Sequence, residues 1–200
     1  MMCCRLNVVG TTLLALVATI GVANAQVNLV PNGDFETAGG DSWVFAGPAV
    51  STYPASGGNP GGYGSMDSSA GWGVFVSEVD PANGLSLASL GLTAGGTYDI
   101  TMDMIGVQGG ELAGIKLESW AGGAHLSNSG DLKETLTDTW STYTWSYTVD
   151  PAATSVKFVP LSVDGGAVGF DNVGVVVPEP ASIGLLSLAG LMIATRRRRK

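Results

Sequence analysis

Alternation of apolar and polar residues, broken at short intervals by glycine, decides what the central part of this chain can become. Tyr98, Ile100, Met102 and Met104 alternate with Asp99, Thr101 and Asp103. Successive side chains of an extended chain point to opposite faces, so this pattern makes one face buried and the other wet. Tyr143, Trp145, Tyr147 and Val149 repeat it against Thr142, Thr144, Ser146 and Thr148, and Ala113, Ile115 and Leu117 alternate with Lys116 and Glu118 in a third strand. The pairs Val74/Val76, Leu85/Leu87, Val156/Phe158 and Val173/Val175 predict four more. No stretch of residues 26–177 keeps a helical period. Breaks such as Gly95-Gly96, Gly109-Gly110, Gly122-Gly123 and Gly165-Gly166 separate the strands and supply the positive φ angles of tight turns. Short strands spaced in this way predict an all-β fold, an antiparallel β-sandwich of the jelly-roll type. Residues 47–71, GPAVSTYPASGGNPGGYGSMDSSAG, lack the alternation and are expected to form a long exposed loop over one end of the sandwich.

The two ends of the chain obey other rules. Arg5, the apolar run 8–22 and the small-x-small site Ala23-Asn24-Ala25 read as a secretory signal peptide cut after Ala25. Both cysteines, Cys3 and Cys4, lie in that segment, so the domain 26–177 has no disulfide and is held by packing or by a metal. Those residues contain three Lys and sixteen acids, a formal charge of −13. Such a domain repels phosphates, which argues against nucleic acid and for divalent cations or neutral, hydroxyl-rich ligands. After Val177-Pro178-Glu179-Pro180 come fifteen uncharged residues, 181–195, and a basic tail, 196–200. As a helix of about 1.5 Å rise per residue the run spans roughly 22 Å, short of a hydrocarbon core of about 30 Å, so it suits a marginal, temporary anchor. The basic tail would stay cytoplasmic and the acidic domain outside.

The proline pair, the short apolar helix and the C-terminal arginine cluster, in that order, resemble the PEP-CTERM sorting signal of Gram-negative bacteria. The resemblance covers residues 178–200 with Val177 before them. It implies an inner-membrane-tethered precursor, processing by an integral-membrane exosortase, and delivery to the cell envelope or exopolysaccharide matrix. Pro180 and Pro178 disfavour helix at Glu179 and Val177, which keeps the motif extended before the span.

Asn28-Leu29-Val30-Pro31-Asn32-Gly33-Asp34-Phe35-Glu36 with Trp43, the turn Leu92-Thr93-Ala94-Gly95-Gly96-Thr97-Tyr98, Thr139-Trp140 with Tyr143, and Gly169-Phe170-Asp171-Asn172-Val173 resemble, in order, CenC-type carbohydrate-binding modules, which are galactose-binding-like jelly rolls. Residues 47–71 have no counterpart in that pattern. The resemblance implies a structural calcium ion where the first and last strands meet, with Asp34, Glu36 and Asp171 as ligands. Hard carboxylate oxygens and the carbonyls of the Asn32-Gly33 turn suit Ca²⁺. The alternative is that Asp34 and Glu36 are solvated turn residues and Asp171-Asn172 ends a strand. A sugar-binding role needs exposed rings that stack on a pyranose. Tyr53, Tyr63, Trp72 and Trp120, flanked by glycine or loop residues, are the candidates, with packing as loop lids the other reading. Trp43, Trp140 and Trp145 are expected in the core. His125 is the sole histidine and no nucleophile motif accompanies it, so no catalytic residues are assigned and the protein is not expected to be an enzyme. These readings predict an exported, non-catalytic carbohydrate-binding protein with a polysaccharide partner; the alternative is a structural or adhesion surface protein of the same fold.

Overall fold

The computed structural model describes residues 30–37, 40–77 and 84–177, all within the unit Asn24–Pro178. The segments read as signal peptide, proline motif beyond Val177, apolar run and basic tail lie outside them. Among the described residues there is no α-helix and none that could cross a membrane.

Twelve strands build two antiparallel sheets packed face to face. The seven-stranded sheet runs β1 (Trp43–Ala46), β4 (Gly73–Ser77), β11 (Ser155–Asp164), β7 (Leu112–Ala121), β8 (Ala124–Asn128), with β5 (Leu85–Ser86) also on β11 and β9 (Leu132–Thr135) also on β7. The five-stranded sheet runs β10 (Ser141–Thr148), β6 (Thr97–Gly106), β12 (Ala167–Val176), β3 (Gly64–Asp67), β2 (Val50–Thr52). This is the antiparallel jelly-roll sandwich that the alternation predicts, and each of the seven expected strands is present.

The long segment 47–71 departs from expectation. It is a hairpin, with β2 and β3 paired from Val50↔Asp67 to Thr52↔Ser65, and β3 also pairs with β12. Its alternation is present but disguised. Met66 is fully buried, and the other inward residue of β3 is Gly64, whose Cβ would meet the Phe35 ring at 2.7 Å. An apolar side chain is excluded there because Phe35 already fills the space.

Aromatic rings join the sheets. Phe75 of β4 is fully buried and lies 5.8 Å from Phe35, 5.7 Å from Phe45, 5.5 Å from Tyr53 and 6.0 Å from Phe170 of β12. Trp43 is buried and stacks on Phe35 at 5.1 Å, and Trp145 packs against the core, as expected of both. A buried hydrogen bond between Ser119 Oγ of β7 and Tyr147 OH of β10, 2.7 Å, is a second tie, and Ser119 Oγ also accepts the Asp150 N–H. Trp140 corrects the expectation that it belongs to the core. It lies just before β10 and shares the parity of the outward-facing Thr142 and Thr144, so its ring falls on the outer side of the five-stranded sheet, over Gly169.

Candidate functional site

On the outer face of the five-stranded sheet, register places Thr142 of β10 beside Asp103 of β6 and Asp103 beside Asp171 of β12. The β6–β12 register shifts between Asp171 and Gly174, and Asn172 there has a φ of 50°. Such a bulge turns two consecutive side chains to one side. Asp171 and Asn172 therefore both reach the outer face.

The turn 58–61 of the β2–β3 connection is docked onto this bulge. It closes with Gly58 N–H on the Gly61 carbonyl, 2.8 Å, around a cis Asn59–Pro60 peptide. Asn59 N–H donates to Asp171 Oδ2 at 2.5 Å and Asn59 Nδ2 to Asp103 Oδ2 at 3.1 Å. Asn172 Nδ2 donates to Asp103 Oδ2 at 2.9 Å and also to the Asn59 carbonyl. Asp171 Oδ1 accepts Asn172 N–H at 2.7 Å, and Thr142 Oγ1 donates to Asp103 Oδ1 at 2.5 Å. From the other side Glu36 Oε1 accepts Gly62 N–H at 3.1 Å.

Three carboxylates thus converge on one turn. Among the described residues the lysines lie elsewhere: Lys116 on β7 pairs with Glu118 at 2.8 Å, Lys157 is on β11 and Lys133 on β9, all in the other sheet. Asp171 is fully buried. Burial raises its pKa most, Asp103 and Glu36 raise it further, and the Asn59 and Asn172 N–H bonds pull it down, leaving it at about 6.

Glycines make the docking possible. A Cβ on Gly58 would lie 2.7 Å from Asp171 Oδ2 and against the Gly62 carbonyl; on Gly62 it would lie 2.9 Å from the Phe35 carbonyl; on Gly61 it would strike the Glu36 carboxylate. Oxygens therefore line the space that side chains at 58, 61 and 62 would take.

Next to this cluster an aromatic pair stands on the sheet. Tyr63 and Trp140 meet edge to face, 5.5 Å apart at 82°, and Trp140 Nε1 donates to the Gly57 carbonyl at 2.9 Å. Beneath them is Gly169, where a Cβ would come within 2.9 Å of Trp140 Cη2, 3.0 Å of Tyr63 Cδ2 and 2.8 Å of Ile105 Cγ2. Along β10 and β6 from the rings follow Thr142, Thr144, Ser146 and Thr148, all exposed, with Ser146 bonded to exposed Asp99 at 2.6 Å.

The residues expected to bind sugar are scattered. Tyr63 belongs to the pair just described. Tyr53 packs against Phe35 and Phe75, and burial raises the pKa of its hydroxyl. Trp120 is on the outer side of the seven-stranded sheet, with Lys157 Nζ 4.5 Å over its ring, His125 at its edge and its Nε1 on Glu118. Trp72 is 52% exposed, lies against Gly47, and has no ring beside it among the described residues. Of the expected calcium ligands, Glu36 and Asp171 face the same turn, whereas Asp34 Oδ1 accepts Glu36 N–H at 3.4 Å. Among the described residues no three His, Cys, Asp or Glu side chains are grouped as a metal site. Asn59, Asp103, Asn172, Thr142 and Trp140 are additions that the sequence reading did not make. The turn letters Asn-Pro-Gly at 59–61 and the polar face of β6 carried the signal for two of them.

Known proteins supply the fold context. No family model matches the chain, and no curated protein does. Solved structures do. The enzymatically active domain of bacteriophage CBA120 tailspike protein 4 is 13% identical with a TM-score of 0.57, over 74% of this chain and 21% of that one. The CBM22-1 xylan-binding domain of Paenibacillus barcinonensis Xyn10C is 18% identical with a TM-score of 0.55, over 80% of this chain and 99% of that one. The C-terminal family 22 carbohydrate-binding module of Clostridium thermocellum Xyn10B is 16% identical with a TM-score of 0.53, over 78% and 97%. The chain spans about a fifth of the tailspike structure and nearly the whole of each module. It has the jelly-roll fold of carbohydrate-binding modules.

A pH dependence follows from Asp171. Its folded-state pKa of about 6 is above the usual unfolded value of about 3.9, so the folded state holds the proton more tightly. In metal-free protein this group therefore lowers stability as pH rises from about 4 to about 6, and the loss is complete above that. Asp171→Asn removes it. In urea unfolding with EDTA, the midpoint of the wild type relative to Asp171→Asn should fall between pH 4.5 and 7; a constant difference would contradict the assignment.

Proposed function

We propose that this is an exported, non-catalytic protein whose sandwich binds a neutral polysaccharide on the outer face of the five-stranded sheet. The Tyr63–Trp140 pair over Gly169 carries the reading. A tryptophan backed by a tyrosine edge gives a pyranose ring an apolar surface, and the hydroxyls and carboxylates along β6 and β10 give its hydroxyl groups partners. The modules of the same fold are named for xylan and other carbohydrates, which makes soluble xylan the first probe. Trp72, though more exposed, stands alone.

Calcium fits the turn at Asp171. Glu36 and Asp171, with the carbonyls of Phe35 and Gly62, would hold it, and Asp34 would not. The ion would supply a positive charge that no described lysine brings to the buried Asp171, and would tie the turn to both ends of the domain.

The remaining parts of the reading concern delivery. Residues 1–25 act as the export signal. Val177-Pro178-Glu179-Pro180 with 181–200 act as a PEP-CTERM-type sorting signal, recognised by an exosortase-type enzyme after transient insertion in the inner membrane. The protein then resides in the envelope or extracellular matrix. A purely structural role there is the second reading.

Three outcomes test these statements. Trp140→Ala should weaken binding of soluble xylan, or of whichever neutral glycan an array selects, about five- to tenfold, as a stacking contribution of about 1 kcal/mol requires; Trp72→Ala should leave it unchanged. If no neutral glycan binds the wild type, the structural role stands instead. Calcium at about a hundred times its Kd should add about 2.7 kcal/mol to stability over EDTA, seen as a higher Tm. Asp171→Asn should abolish that gain and Asp34→Asn should keep it. Finally, alanines at 178–180 should leave export intact and hold the protein in the inner membrane, whereas release equal to wild type would refute the sorting role.

A further inference from the structure

Of the strands that border the two sheets, one differs in kind. β1, β2, β5, β8 and β9 have 4, 3, 2, 5 and 4 residues, β8 pairs with β7 through a register shift, and β9 carries Lys133 and Glu134. These are the usual ways of blunting a sheet edge: shortness, irregularity and charge. β10 has 8 residues, STYTWSYT, and pairs with β6 alone, in unbroken register from Ser141↔Met104 to Thr148↔Thr97. It contains no charge, no proline, no glycine and no bulge, in a domain whose formal charge is −13. Thr, Tyr and Trp are among the residues that strands favour most. Its other edge has no backbone partner among the described residues.

The side chains of β10 are also suited to a copy of themselves. In an antiparallel pair, directly opposed residues point to the same face, so residue numbers must match in parity. A two-fold axis at Thr144 sets Thr144 against its own copy and Thr142 against Ser146 on the outer face. On the inner side it sets Tyr143 against Trp145. Tyr143 and Trp145 are half-buried, stack on one another at 6.1 Å and 13°, and pack against the core at this open side of the sandwich. Hydroxyl pairs and aromatic pairs are favourable cross-strand neighbours.

We infer that β10 is a self-association edge: two copies of the chain pair β10 to β10 antiparallel about Thr144, joining their five-stranded sheets into one. The interface is isologous, so it closes at a dimer. The dimer places two Tyr63–Trp140 platforms on one continuous face, which makes a polysaccharide chain a two-point ligand. The pairing rests on the strand alone and does not depend on sugar binding.

The test uses the full chain with Cys3 and Cys4 replaced by serine. Thr144→Cys places two thiols opposite each other, at a Cα separation of about 4.5–5.5 Å that a disulfide accepts. Mild oxidation should give a covalent dimer, whereas Thr52→Cys, exposed on the other border of the same sheet, should stay unlinked. Sedimentation should show a concentration-dependent dimer, and Thr144→Lys should weaken it about tenfold or more while leaving the Tm of the monomer unchanged. Failure of Thr144→Cys to cross-link, equal cross-linking at 52, or an association that Thr144→Lys does not alter would each overturn the inference. Loss of glycan binding with the dimer intact would refute only the platform.

Discussion

A buried carboxylate, Asp171, held by backbone N–H groups is the constraint around which this structure is arranged. Asp171 has left water entirely, and its two oxygens are met by backbone N–H groups of Asn59 and Asn172. Burying an ion is costly unless its lone pairs are engaged. One donor is the neighbouring residue and the other belongs to a turn 112 positions away, so the carboxylate fixes where that turn goes. The bulge at Asn172 is needed for Asp171 and Asn172 to serve the same face, and glycines at 58, 61 and 62 are needed for the turn to come close. The described lysines are on β7, β9 and β11 of the other sheet, so none of them stands beside Glu36, Asp103 and Asp171.

Fixing the turn fixes the surface beside it. Tyr63 follows the turn by two residues, and the Gly57 carbonyl that precedes it receives Trp140 Nε1. Tyr63 and Trp140 stand just before β3 and β10, so the seated turn holds the pair together over Gly169, where a Cβ would crowd both rings. The rings are held by the protein's own contacts, so a glycan of the kind proposed would have little ordering to supply on binding.

The long strands were legible in the sequence because burial of one face imposes a period of two, and β6, β7 and β10 show it over many residues. β3 was not, because its inward position 64 must be glycine to admit Phe35, which removes the apolar letter the pattern needs. β8 and β9 were missed because they are largely exposed and show no apolar face, and β1 because WVFA is apolar on both faces, so none of them displays a period of two; length was not the obstacle, since β4 and β5 have 5 and 2 residues. At the site, Glu36 and Asp171 could be named from the chain, but Asp103 and Asn59 are brought to them only by sheet order, which no local pattern encodes. Trp140 was grouped with the core because it sits beside an alternating strand, yet it shares the even-numbered parity of Thr142, Thr144 and Ser146, so the same period of two puts its ring on the opposite side from Tyr143 and Trp145.

The account stands or falls on the seating of the turn 58–61. Amide hydrogen exchange at Asn59 reports it directly, since that N–H is bonded to a side chain of β12 and not to its own loop. Protection comparable to the paired amides of β6 and β12, and far above that of the exposed turn residue Gly122, is the expected result. Exchange at Asn59 as fast as at Gly122 would mean that the turn is not held by Asp171, and the carboxylate cluster and the aromatic pair would lose their common support.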